Sequence, residues 1–211
     1  MLNISFGEIE LQYPAYHDCD IDWYKTAEKL TKEFFVNTIK KDFNIIDAGA
    51  QIGMYSVLFS KLTNGKIFAF EPTDTADKLI TNLAYNQCSN VEVIKRPLGS
   101  STCKKQDKIY KLWSQNIIDE EVYDFICVDD FVKDRNLTVD LIKIDVDSYD
   151  YEVLQGAKSF LESQNPIVVV ELNHALDKRG YQKEDGLNFM NDLGYQLLHF
   201  YDQDNYIFKK R

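Results

Sequence analysis

The chain has 211 residues, 45% of them hydrophobic and 13% aromatic, enough to bury a sizeable core as a single domain over 1–211. Its formal net charge of −10 repels polyanions and argues against nucleic acid as substrate or partner. No apolar run reaches the ~18–20 residues of a membrane span, and the polar start lacks the apolar stretch of a signal peptide, so a cytoplasmic protein without a membrane partner is expected.

Residues 1–40 read as an extension with a strand near Ile9–Tyr13 and a helix from about Trp23 to Ile39. From residue 41 the core begins, and short apolar runs alternate with amphipathic stretches. Asn44–Gly49 leads into a helix over 52–62, Lys66–Pro72 into a helix over 75–87, and Val91–Lys95 into a polar insert at about 100–122. The insert interleaves Lys104, Lys105, Lys108 and Lys111 with Tyr110 and Trp113. It reads as a solvated hairpin; meeting a phosphate-bearing substrate, or stacking on a sugar face, is the functional alternative. Asp140–Val146 then precedes a helix over 150–161, where Val153, Leu154, Ala157, Phe160 and Leu161 share one face. Pro166–Leu172 follows, then residues 173–182 and a helix at about 183–193. The chain closes on Tyr195–Tyr201 and Tyr206–Lys209 around the polar turn Asp202–Asn205, the pattern of a hairpin.

The internal runs are near-continuous in Ile, Val, Leu and Phe, as in strands buried on both faces of a parallel sheet. Repeated strand–helix units predict an α/β, doubly wound, Rossmann-like sheet finished by an antiparallel hairpin. The four cysteines, Cys19, Cys88, Cys103 and Cys127, form no C-x-x-C pair, so reduced thiols are expected and Cys127 reads as core.

The first buried strand ends in Asp47-Ala48-Gly49-Ala50-Gln51-Ile52-Gly53. Glycines there allow a tight strand-to-helix turn and close approach of a ligand to the backbone, where ligands of open α/β sheets bind. The spacing is G-x-x-x-G rather than the G-x-G-x-x-G of a dinucleotide fingerprint, and the carboxylate of Asp47 does not favour a pyrophosphate. Glu71, before Pro72, ends the second strand, where an acid can accept ribose hydroxyls. A ligand-free turn and a solvent-facing acid are the plain alternatives.

Ile46–Ser56, Phe70-Glu71-Pro72, Pro97-Leu98-Gly99-Ser100, Val128-Asp129-Asp130-Phe131 and Asp140–Ala157 occur in that order, and together they resemble the FkbM family of methyltransferases over about 44–200. The sequence departs at Gln51, where the family usually has Asn, and at Asp147-Ser148, where Glu-Gly is commoner. The resemblance implies a class I methyltransferase fold: a seven-stranded, mostly parallel sheet with a C-terminal antiparallel hairpin and helices on both faces. It implies S-adenosylmethionine as cofactor, S-adenosylhomocysteine as product, and methyl transfer to a hydroxyl of a sugar or natural product. Cofactor contacts would come from Asp47, Gly49, Gln51, Gly53, Glu71, Pro72, Leu98 and Asp145, with Asp47 towards the cationic aminopropyl-carboxylate end and Glu71 on the ribose.

Asp145, Glu171, Asn173 and His174 lie at or just past the ends of the fourth and fifth strands. A sugar hydroxyl must lose its proton near the transition state. Either His174 or Asp145 acts as general base, or Asp145, Glu171 and Asn173 hold Mg²⁺ that acidifies the hydroxyl; base catalysis is favoured, because a dedicated site shows a denser acidic cluster. Asp147 and Asp150 read as caps of the helix starting near 150. His17 and His199 read as structural or surface residues. Rival acceptors are an amine, a protein side chain or a small aromatic. A non-catalytic binding module and an NAD-dependent oxidoreductase are less consistent with the motifs. The acceptor wall is expected from 1–40, 100–122 and 173–182, and a homo-oligomer that lends a further wall stays open.

Overall fold

The computed structural model describes residues 1–16, 21–111, 117–202 and 204–210. His17, Cys19, Trp113 and Gln203 lie outside them, as do the side chains of Trp23, Tyr110 and Lys111. The chain forms two compact units, Met1–Lys95 and Arg96–Arg211.

In the first unit, β1 (Leu2–Phe6) and β2 (Ile9–Tyr13) form an antiparallel hairpin that turns at Gly7. Only β2 was expected, although Leu2, Ile4 and Phe6 alternate with polar residues and are all buried. The expected helix at 23–39 is instead two, α1 (Ile21–Thr26) and α2 (Lys29–Thr38). The break falls at Glu28, whose φ of 56° is left-handed and whose carboxylate accepts a hydrogen bond from the Tyr55 hydroxyl at 3.0 Å. That bond spans 27 residues, so local periodicity carries no trace of it.

The parallel strands β3 (Ile45–Ala48), β4 (Ile67–Phe70) and β5 (Val91–Ile94) follow, separated by α3 (Met54–Leu62) and α4 (Ala76–Tyr85). Every residue of β3 and β4 is buried, as their apolar runs require. Phe35 of α2 meets Tyr55 and Phe59 of α3 edge-on, with ring centroids 5.2 and 4.9 Å apart, and Phe6 of β1 meets Tyr55 at 6.1 Å. Residues 1–40 thus cover α3, and the buried aromatic face is what holds them there.

The second unit begins with the insert, a hairpin of β6 (Cys103–Lys111) and β7 (Ile117–Phe125) paired in register from Cys103↔Phe125 to Lys111↔Ile117. It runs three residues beyond the expected insert. A short helix not foreseen in the sequence, α5 (Val128–Asp134), precedes β8 (Leu141–Ile144). Cys127, just before α5, is buried as expected. The expected helix at 150–161 divides into α6 (Asp150–Gln155) and α7 (Lys158–Gln164). Between them, Gly156 lies so close to Gly99 that a Cβ there would run into the Gly99 carbonyl oxygen. Asp129 of α5 then accepts hydrogen bonds from the Ser159 and Phe160 amides (3.0 and 2.7 Å) in the first turn of α7.

β9 (Ile167–Glu171) pairs parallel with β8; a 3-10 helix (His174–Arg179) and α8 (Lys183–Asp192) lead to the hairpin of β10 (Tyr195–Tyr201) and β11 (Asn205–Lys210). β11 runs antiparallel to β9. The main sheet has seven strands in the order β10-β11-β9-β8-β3-β4-β5, mostly parallel with the antiparallel hairpin at its end, which is the fold class the sequence led us to expect. Among the described residues no helix is long and apolar enough to cross a membrane.

Candidate functional site

The first unit carries the glycine turn. Past β3 the backbone enters the left-handed region three times in five residues, at Gly49 (φ 79°), Gln51 (φ 50°) and Gly53 (φ 88°). Glycine takes this region freely; for Gln51 something must hold it there. The amides of Gly49 and Ala50 donate to the Phe70 carbonyl (3.0 and 2.9 Å), and the Gln51 amide donates to Glu71 Oε2 at 3.0 Å. Glu71 is only 2% exposed, and its Oε1 accepts from the Thr73 amide (3.0 Å) and hydroxyl (2.6 Å). The acid after β4 is therefore fixed in one orientation by the turn after β3, and it is not the solvent-facing group of the plain alternative. Pro72 follows it directly. Asp47 is wholly buried in β3, and its Oδ2 accepts a 2.5 Å hydrogen bond from Ser56 in α3, a partner no sequence signal announced.

The second unit carries the remaining candidates. Leu98 is buried and bridges in parallel to Ile126. Asp145 follows β8, with its Oδ2 3.0 Å from Nζ of Lys143, a lysine only 3% exposed in a strand otherwise made of Leu and Ile. Strand alternation puts residues 143 and 145 on the same side, so the ammonium reaches its partner without leaving the core. Lys143 stands out in the sequence as the one charge within β8.

The cap reading of Asp147 and Asp150 needs correction. Tyr149 is the N-cap of α6, without a side-chain cap bond. Asp150 instead reaches back and accepts from the amides of Val146 (2.9 Å) and Ser148 (3.1 Å), bracing a turn in which Asp147 and Ser148 have φ of 53° and 115°. Burial, and secondarily the charge of Asp145, push the Asp150 carboxyl up to about 7 against the pull of backbone amides.

Beyond β9, Asn173 shapes the chain with both ends of its amide. Its Oδ1 accepts from the Ala175 amide at 2.7 Å, capping the 3-10 helix, while its Nδ2 donates to Glu171 Oε2 at 2.7 Å. The oxygen that would face a cation is turned to an amide, and among the described residues no group of three His, Cys, Asp or Glu could hold a metal. His174 heads the 3-10 helix, exposed. His199 is also exposed and stacks on Tyr201 at 5.0 Å, a surface residue as expected.

A further cluster was not legible in the sequence. Arg179 ends the 3-10 helix with its guanidinium 3.3 Å from the Tyr149 ring centroid, and its NH2 group bonds Asp107 Oδ1 (3.2 Å) and the Lys108 carbonyl (3.0 Å). Its Nε lies 3.6 Å from Glu152 Oε2. Burial pushes the Asp107 carboxyl up, but hydrogen bonds from Lys105 and the Lys108 amide, with the Arg179 charge, outweigh it and hold it well below the usual carboxylate range. Burial raises the Tyr149 phenol, which stays protonated and whose buried hydroxyl makes no hydrogen bond among the described residues.

Comparison with known proteins places these elements. A model of the Methyltransferase FkbM domain matches residues 47–197. No curated protein matches the sequence. Among solved structures, a methyltransferase FkbM from Methylobacillus flagellatus KT aligns with a TM-score of 0.59 at 17% identity, over 81% of this chain and 44% of its own. This chain therefore spans less than half the length of that relative. A Streptococcus mutans protein assigned as a methyltransferase and solved in complex with SAH aligns with a TM-score of 0.54 at 18% identity, over 86% and 96% of the two chains. A ribosomal protein L11 methylase from Lactobacillus delbrueckii subsp. bulgaricus aligns end to end, with 100% of each chain covered, a TM-score of 0.57 and 12% identity.

Proposed function

Because the chain belongs to the FkbM methyltransferase family, we propose that it transfers the methyl group of S-adenosylmethionine to a hydroxyl of a sugar or a saccharide-containing metabolite. The observation that carries the reading is the buried Glu71 carboxylate, tied to the Gln51 amide across the Gly49–Gly53 turn. A fixed carboxylate beside a turn poor in side chains suits a ribose with its two hydroxyls, and it suits a pyrophosphate poorly. The S. mutans protein of like fold was solved with SAH, which favours the same cofactor here.

Glu71 would hold the ribose, and the backbone from Gly49 to Gly53 would run along the methionine arm with Asp47 beneath it. Leu98, Pro72 and Asp145 complete the candidate contacts. Bound S-adenosylmethionine supplies an electrophilic methyl on a sulfonium. Asp145 is engaged by Lys143, which leaves proton removal from the acceptor hydroxyl to the exposed His174. Asn173 holds that end of the 3-10 helix, so the imidazole starts from a fixed backbone.

The test is calorimetry with S-adenosylhomocysteine, then transfer of a labelled methyl from S-adenosylmethionine to a panel of saccharides, amines, peptides and small aromatics. Binding of the nucleoside and label in saccharides is the expected result. Label in peptides or amines alone would replace the acceptor class, and a protein that binds neither nucleoside would remove the reading.

A further inference from the structure

Arg179 stands at the meeting of three segments of the second unit that are remote in sequence. It closes the 3-10 helix that His174 opens; two of its partners, Asp107 and Lys108, belong to β6; two more, Tyr149 and Glu152, belong to the turn after β8 and to α6. A guanidinium whose side chain is only 12% exposed is costly unless its donors are matched. Here the NH2 group donates to the Asp107 carboxylate and the Lys108 carbonyl, and the guanidinium lies against the Tyr149 ring. Nε, which makes no hydrogen bond among the described residues, stays within ion-pair distance of Glu152 at 3.6 Å.

The hairpin is tied to the same turn a second time. Lys105 sits 4.5 Å from the Phe125 centroid and 5.4 Å from that of Tyr149, and it bonds Asp107 at 2.8 Å. The Phe125 and Tyr149 rings lie 5.3 Å apart. Lys105 and Arg179 against Asp107 and Glu152 make a group of balanced formal charge in a chain of net −10. The opposite end of the 3-10 helix does not depend on Arg179, because Asn173 caps it and bonds Glu171.

We propose that Arg179 is a positioning residue that clamps the β6–β7 hairpin onto the turn after β8, so that the hairpin forms a wall against which the saccharide acceptor rests. The inference rests on the methyl-transfer reading for its functional half, while the clamp itself concerns only contacts inside one unit. Since Asn173 holds the His174 end independently, loosening the clamp acts on acceptor binding and spares the proton-removal step.

Three variants test this in the full chain: Arg179→Met, the pair Arg179→Met with Glu152→Gln, which avoids stranding a half-buried carboxylate, and Arg179→Lys. Hydrogen exchange of the amides at 103–111 and 117–125 is expected to quicken at least tenfold in both Met variants, with β8 and β9 amides unchanged. The Kd for S-adenosylhomocysteine should stay within threefold. With whichever saccharide of the panel the wild type methylates, KM should rise at least tenfold and kcat stay within threefold. Arg179→Lys should restore less than half of the loss, because an ammonium lacks the fork. Unchanged hairpin exchange in the paired variant overturns the clamp. A fall in kcat at constant KM, or a tenfold weaker nucleoside, overturns its assignment to the acceptor wall. A wild type that binds no nucleoside defeats the methyl-transfer reading and with it the acceptor-wall role, while the exchange measurement still decides the clamp.

Discussion

Ser148→Gly should stabilise the protein, against the usual direction of a substitution to glycine. Ser148 has φ of 115°, a region that residues with a Cβ avoid, at a cost of about 1–3 kcal/mol. Its hydroxyl is buried and finds no partner among the described residues, which adds about 1–3 kcal/mol of desolvation. Against this, glycine costs about 0.5–1 kcal/mol in backbone entropy. Loss of one buried methylene costs about 0.8 kcal/mol more. Taken at the middle of these ranges the balance is a gain of about 2–3 kcal/mol, or ~4–12 °C in Tm for a chain of this size. Thermal and urea unfolding of the two proteins, run side by side, measure it, and S-adenosylhomocysteine affinity should change less than threefold. A Tm that is unchanged or lower would mean that the turn stores no strain at this position, and that Asp150 with its two amide bonds fits serine as well as glycine.

Asp150 supplies a pH dependence. Its folded value of about 7 lies above 3.8, so the folded state holds the extra proton; the stabilisation is complete below about pH 4 and is lost as pH rises through 7. Relative to Asp150→Asn, which cannot ionise, the wild type should lose stability between about pH 4 and 7, by up to about 1.4 kcal/mol per pH unit, and level off above; a constant difference would contradict the assignment. Glu71→Ala should weaken S-adenosylhomocysteine by about 1–3 kcal/mol, read by calorimetry; equal affinity in a folded variant would detach Glu71 from the ribose. Methyl transfer should survive excess EDTA, while His174→Ala lowers kcat by at least ~100-fold. Activity lost to the chelator and restored by Mg²⁺ would favour the metal route.

What could be read in advance follows from how local each cause is. β3, β4, β8 and β9 announce themselves because a strand buried on both faces must be largely apolar, and Asp47 in β3, Lys143 in β8 and Glu171 at the end of β9 are their only charged residues. The terminal hairpin is legible from its polar turn. The break between α1 and α2 is not, because it answers to Tyr55 in another helix and no glycine or proline marks it. α5 spans only seven residues, too few for a periodicity to emerge. In the site, Glu71 could be placed from position alone, but its ties to Gln51 and Thr73 needed the folded turn. Arg179 had no signal at all: its partners lie as far as 72 and no nearer than 27 residues earlier in the chain.

The motif residues separate into two kinds once their partners are known. Asp129 and Asp150 lie in the stretches that resemble the family, yet both accept backbone amides, one at the start of α7 and one in the turn after β8. Ser148 shows the same from the other side. The resemblance has glycine commoner there, and the observed φ of 115° is a demand of the backbone rather than of any reacting group. An acid in such a motif is therefore not evidence of chemistry until its oxygens are accounted for. By that criterion Asp150 is a brace and Asn173 is a cap, while the exposed ring of His174 makes no side-chain hydrogen bond among the described residues, as the base proposed above requires.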